Sequence, residues 1–109
     1  GVVRVSSWVN RVLIIGLGLI GGSLAKALRE QNAGACIVGY DRDEKEMQTG
    51  LRLGVIDEMA AGLSEEVAKA DLIVLAVPVK ATEAVLEQIK PHLNNGTILT
   101  DVPLLGGFR

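Results

Sequence analysis

Three glycines carry the clearest chemical signal in the chain. Gly16, Gly18 and Gly21 spell G-x-G-x-x-G directly after the apolar run Val12-Leu13-Ile14-Ile15. That order lets bare backbone approach a diphosphate. Gly16 permits a tight turn out of a strand. Gly18 leaves room for phosphate oxygens. Gly21 lets the following helix lie against the strand, with its N–H groups and positive dipole end aimed at the phosphates. Leu17, Leu19 and Ile20 fill the intervening positions and lend their backbone to the same loop. A second apolar run, Cys36 to Tyr40, ends in Asp41, which lies 20 residues beyond Gly21. A carboxylate there accepts hydrogen bonds from the ribose hydroxyls beside a diphosphate. The combination predicts a dinucleotide site. Asp41 favours NAD, because it repels the extra phosphate of NADP. Arg42 next to it softens that repulsion, which leaves NADP open, or covers the adenine ring.

Other reactive side chains read as structural. His92 is the lone histidine. It follows Pro91 on the connection into the last strand, at the sheet end away from the glycine loop. Cys36 opens a strand, and reads as a small core residue with no basic neighbour. Ser23 lies one turn into the phosphate-facing helix and can serve either that helix or a phosphate. Asp101 suits a turn at a strand end, and Lys80 a solvated helix start. No catalytic residue and no metal ligand set is assigned.

The elements that must position these residues alternate. Strands are predicted over 11–15, 36–40, 55–56, 71–77 and 97–100. Helices are predicted over 19–31, 44–53, a short stretch capped by Ser64, and 81–89. Asp43 and Glu46 are spaced as a capping box, Gly54 closes the second of these helices, and Pro91 ends the last. Trp8 and Val9 are expected to pack on the first strand. Such alternation predicts an α/β fold, a Rossmann-type doubly wound parallel sheet of three layers with strand order 3-2-1-4-5. The carboxyl ends at the point of reversal gather the glycine loop, Asp41, Val77-Pro78-Val79 and Asp101. The 109 residues suit one domain, with residues 1–10 as a leader and 11–102 as the dinucleotide-binding unit. A net charge of −2 argues against nucleic acid as a partner. One cysteine and the lack of a 20-residue apolar run favour a reducing, cytoplasmic setting without a membrane span.

The string Gly16-Leu17-Gly18-Leu19-Ile20-Gly21-Gly22-Ser23-Leu24-Ala25 resembles the phosphate-binding segment of the prephenate/arogenate dehydrogenases. Gly39 to Asp43, Leu75 to Val79 and Leu99 to Val102 are similar to that family's second, fourth and fifth strand endings. The resemblance covers about residues 11–102. It implies the dinucleotide-binding part of a tyrosine-pathway oxidoreductase that decarboxylates prephenate or arogenate while reducing NAD(P). In that family a histidine, aided by a serine in a Gly-Ser-x-Lys segment after the fifth strand, accepts the proton. Here residues 103–109 read Pro-Leu-Leu-Gly-Gly-Phe-Arg instead. The expectation is therefore a piece that binds cofactor without turnover and lacks the helical substrate domain. An apolar patch at Val102, Leu104, Leu105 and Phe108 predicts a homo-oligomer, or a tail folded over the sheet edge. Two other readings stay open: a non-catalytic NAD(H)-sensing module, and another hydroxyacid-type dehydrogenase domain.

Overall fold

Strand β1 (Arg11–Ile15) takes the centre of the sheet because its last four residues are apolar and can be buried on both sides. It pairs in parallel with β2 (Cys36–Tyr40) and with β4 (Leu72–Leu75). The outer strands β3 (Glu58–Met59) and β5 (Ile98–Asp101) complete the order β3-β2-β1-β4-β5, as the sequence predicts. The crossovers are helices α1 (Leu19–Gln31), α2 (Glu44–Arg52), α3 (Leu63–Lys69) and α4 (Val79–Ile89). The structure is a computed structural model, and it describes residues 9–31 and 34–101. The leader with Trp8, the closure of α1 at residues 32–33, and the tail from residue 102 lie outside the described residues.

Alternation along the strands splits the core into two layers. Val12, Ile14, Ile37, Leu72 and Val74 face α1 and α2, where Ala25, Leu28 and Met47 meet them. Leu13, Ile15, Val38, Ile73 and Leu75 face α3 and α4, where Leu63, Val67 and Ile89 meet them. Val9 is buried in the first layer, as expected. Full burial of each large aliphatic side chain contributes about 1.5–3 kcal/mol. No helix among the described residues is long and apolar enough to cross a membrane.

Several predicted boundaries shift, each for a local reason. The third strand is Glu58–Met59 rather than 55–56. Val55 and Ile56 are consumed by the turn that ends α2, where the Gly54 N–H donates to Leu51 O and the Val55 N–H to Gly50 O. This is a Schellman closure, with Gly54 at φ +77°. Ile56 then drops its side chain into the core, and its N–H donates to Gly50 O rather than to a neighbouring strand. Helix α3 begins one residue before Ser64, with Gly62 at the N-cap and no side-chain cap, so Ser64 sits exposed in the first turn. Helix α4 starts at Val79 directly after Pro78, whose fixed φ suits a helix entry. Pro91 does not stop the chain turning: α4 runs into a 3-10 turn over Lys90–His92. Strand β4 is shorter than expected, and β5 lies one residue later than expected. The capping box at α2 is half formed. Asp43 accepts from the Lys45 N–H, but the Asp43 N–H goes to Asp41 Oδ1 at 2.9 Å.

The amino ends of the strands are tied by charge. The Arg11 guanidinium reaches Glu58 at 2.9 Å and the nearly buried Glu66 at 3.1 Å. Asp71 Oδ2 accepts from the Asn10 and Arg11 N–H groups. Cys36 has the basic neighbour that the sequence did not reveal, since Arg11 Nη1 lies 3.6 Å from its Sγ. Its thiol is nonetheless pushed up, by burial first and then by the Glu58 carboxylate. Asp57 is pulled both ways. Burial raises its carboxyl, while the Ile37 N–H and the Arg29 guanidinium at 2.9 Å lower it, and the net shift is downward. Glu58 is also lowered, chiefly by its hydrogen bond from Arg11.

A depressed folded value means that the stabilisation is whole above the unfolded carboxyl value, near 4. It is lost as pH falls through the lower folded value. The unfolding free energy from urea titration should therefore drop between pH 5 and pH 2. Asp57→Asn should shrink that drop by at most ~1 kcal/mol, because the ion pair is partly solvated. An unchanged pH profile in the variant would remove Asp57 from this account.

Candidate functional site

The carboxyl ends of β1, β2 and β4 converge on the glycine loop. Gly16 leaves β1 with φ +101°. A side chain there is excluded twice, because a Cβ would also stand 2.5 Å from the Ala76 carbonyl oxygen. Its N–H donates to Tyr40 O at 2.7 Å, which ties the loop to β2. Gly21 sits in the first turn of α1, where a Cβ would land on the Gly16 carbonyl oxygen. The helix can thus rest directly on the turn. Gly18 behaves differently: it is exposed, and a Cβ there would meet nothing within 4 Å. Protein packing does not require glycine at 18. The space above it is open to a ligand.

Asp41 stands beside this loop and holds it. Its Oδ2 accepts from the Leu17 N–H at 2.8 Å, and its Oδ1 from the Asp43 N–H at 2.9 Å. The carboxylate is thereby fixed in one orientation, with one lone pair on each oxygen left for a hydroxyl donor. Leu17 itself turns inward and is buried. It fits because Gly39 on β2 has no side chain: a Cβ there would stand 2.8 Å from Leu17 Cδ1 and 2.9 Å from Ile56.

A cleft of about 540 Å³ opens over these strand ends, within the range of small-molecule sites. Gly16, Gly18, Asp41, Arg42, Val77 and Pro78 line it. Of the other sequence candidates, Leu17 and Gly21 lie beneath the loop and support it. Leu19 and Ile20 open α1. Val79 is half-exposed at the start of α4 and does not line the cleft. Asp101 is exposed at the end of β5, and His92 is exposed in the turn after α4, outside the cleft. Among the described residues no group of three or more histidine, cysteine, aspartate or glutamate side chains is placed to hold a metal ion.

The sequence reading missed one whole wall. Tyr40 and Leu63 line the cleft, as do Ala81, Ala84, Val85 and Gln88 of α4. The spacing 81, 84, 85, 88 marks one helical face and was available in the sequence. What the spacing does not reveal is that this face looks partly into the cleft rather than wholly into the core.

Residues 24–104 match the family described as the nucleotide-binding domain of prephenate dehydrogenase. The prephenate dehydrogenase of Bacillus subtilis (strain 168) is 36% identical over 94 residues, which is 85% of this chain and 25% of that protein. Among solved structures, Synechocystis arogenate dehydrogenase superposes with a TM-score of 0.76 at 34% identity, over 84% of this chain and 32% of its own. The A. aeolicus prephenate dehydrogenase in complex with hydroxyphenyl propionate and NAD+ gives 0.76 at 31% identity, with the same coverage. The chain spans about a quarter of the curated relatives it matches.

The two loop glycines should separate in mutagenesis. Gly21→Ala forces a Cβ onto a backbone oxygen and should cost ~1–3 kcal/mol or more, as overpacking does. Gly18→Ala should leave the melting temperature within about 1–2 °C, since a surface change without such a clash is nearly neutral. Equal melting temperatures for the two variants would refute this packing scheme.

Proposed function

Because this chain belongs to the prephenate dehydrogenase nucleotide-binding domain family, we propose that it holds NAD for an oxidoreductase acting on prephenate or arogenate. The observation that carries this reading is the juxtaposition of Gly18 and Asp41 in one cleft. Open space above Gly18 suits a diphosphate, which a side chain would exclude. The α1 amino end lies next to it and favours its charge. The fixed Asp41 carboxylate suits the two hydroxyls of the adjoining ribose.

A nicotinamide held here would supply hydride acceptance for a substrate ring that loses carbon dioxide and becomes aromatic. The residues of this chain bind and orient the cofactor for that step. None of its described residues is assigned the proton transfer, because the single histidine lies outside the cleft. Turnover by this chain alone is not expected. Among the described strands β5 ends the sheet, and its four residues are exposed, including the apolar Ile98 and Leu99. We assign self-association to this edge, and a cytoplasmic setting to the chain. Sedimentation at rising concentration should show a dimer or larger species, and a monomer throughout would remove the edge from the reading.

Cofactor titration by calorimetry tests the main claim. The protein should bind NAD more tightly than NADP. Asp41→Ala should weaken NAD by about tenfold, the scale of a lost hydrogen bond to a charged group. It should also narrow the preference. No heat with either dinucleotide at millimolar concentration would overturn the function, and a preference for NADP would overturn the role of Asp41.

A further inference from the structure

Beyond the loop and Asp41, the cleft continues along α4. Tyr40, Leu63, Ala81, Ala84 and Val85 line this extension. The walls are apolar and the alanines keep the gap wide. Such a slot suits a flat ring more than a charged group. Gln88, two turns along α4 from Ala81, or about 10 Å, also lines the cleft and is exposed.

The polar side chains on the cleft lining are Tyr40, Asp41, Arg42 and Gln88. Their hydrogen-bonding capacities differ. Arg42 can only donate. Asp41 only accepts when ionised, and it is held by two backbone N–H groups. Tyr40 offers a single hydroxyl. Gln88 alone among them presents an acceptor and a donor side by side in one plane. That is the complement of adenine at its amino group and N7, which pair with a glutamine amide in bidentate fashion. A 6-oxo purine has two acceptors along that edge, so one of the two bonds is lost and an oxygen faces an oxygen.

We infer that Gln88 is a base-specificity residue, which meets the amino/N7 edge of the 6-amino purine of the dinucleotide and at that edge rejects its 6-oxo counterpart. This rests on the dinucleotide reading above. The residue is exposed on a helix whose buried anchor is Ile89, so its replacement does not threaten folding.

The test compares NAD with nicotinamide hypoxanthine dinucleotide by calorimetry, on the wild-type chain and on Gln88→Leu. Wild type should favour NAD by about tenfold, the lower end for a bidentate pair. Gln88→Leu should melt at the wild-type temperature and bind the two dinucleotides within about twofold, mainly by losing affinity for NAD. Equal binding of both by wild type, or an undiminished preference in Gln88→Leu, would overturn the assignment while leaving the dinucleotide site standing. Failure of wild type to bind either compound would instead strike the dinucleotide reading itself.

Discussion

Helix α1 rests on the carbonyl oxygen of Gly16, and the rest of the architecture follows from that contact. It is possible only because Gly21 lacks a Cβ. It also requires Gly16 to turn at φ +101°, a conformation that other residues reach only with strain. Once the helix is seated, its first turn stands over the end of β1 rather than beside it. The Gly16 N–H is then free to bond Tyr40 O, which brings the end of β2 to the same point. Ala76 closes on Gly16 from the β4 side. Three strand ends and one helix end thus meet around a loop with almost no side chains. The cleft is the space that this convergence leaves uncovered.

The two ends of the sheet divide their labour by how they satisfy charge. At the amino ends, Arg11, Glu58, Glu66 and Asp71 neutralise one another or backbone groups. Cys36 sits inside this network, yet its thiol is raised rather than lowered, because burial and Glu58 outweigh Arg11. At the carboxyl ends, the loop leaves Gly18 open, and Asp41 keeps one lone pair per oxygen. Unused capacity is concentrated where the strands point, as expected of an open α/β sheet at its reversal.

Much of this was legible in the chain because its signals are local. The buried runs at 12–15 and 72–75 identify the central strands, and glycine spacing identifies the turn. Right-handed crossovers then leave few topologies. The losses were equally physical. Ile56 looks like strand but is spent on the core, because a Schellman closure at Gly54 decides where the chain can next extend. Ser64 has the chemistry of a cap, but the cap lies two residues earlier at Gly62, whose cap role has no side-chain signature. Gly39 reads as an ordinary strand glycine. Its reason lies with Leu17 and Ile56, 22 and 17 residues away along the chain. The α4 wall of the cleft was missed for the same reason, since exposure to a cleft depends on what stands opposite.

Asp41 shows why cofactor choice in such a site is not a free variable. Its carboxylate is the group proposed to meet the ribose, yet it already accepts from the Leu17 and Asp43 N–H groups. Leu17 belongs to the glycine loop, and Asp43 caps the next helix. Removing the carboxylate therefore leaves a loop N–H and a helix-entry N–H without their acceptor, besides altering the charge seen by the sugar. A lost bond of this kind costs on the order of 1 kcal/mol or more where water cannot replace it. The residue that would discriminate between dinucleotides is also one that shapes the cradle for both. Exchange of this aspartate for a neutral side chain should thus be read as two changes. One falls on specificity and the other on the loop, and only the first is relieved when a second residue supplies charge nearby.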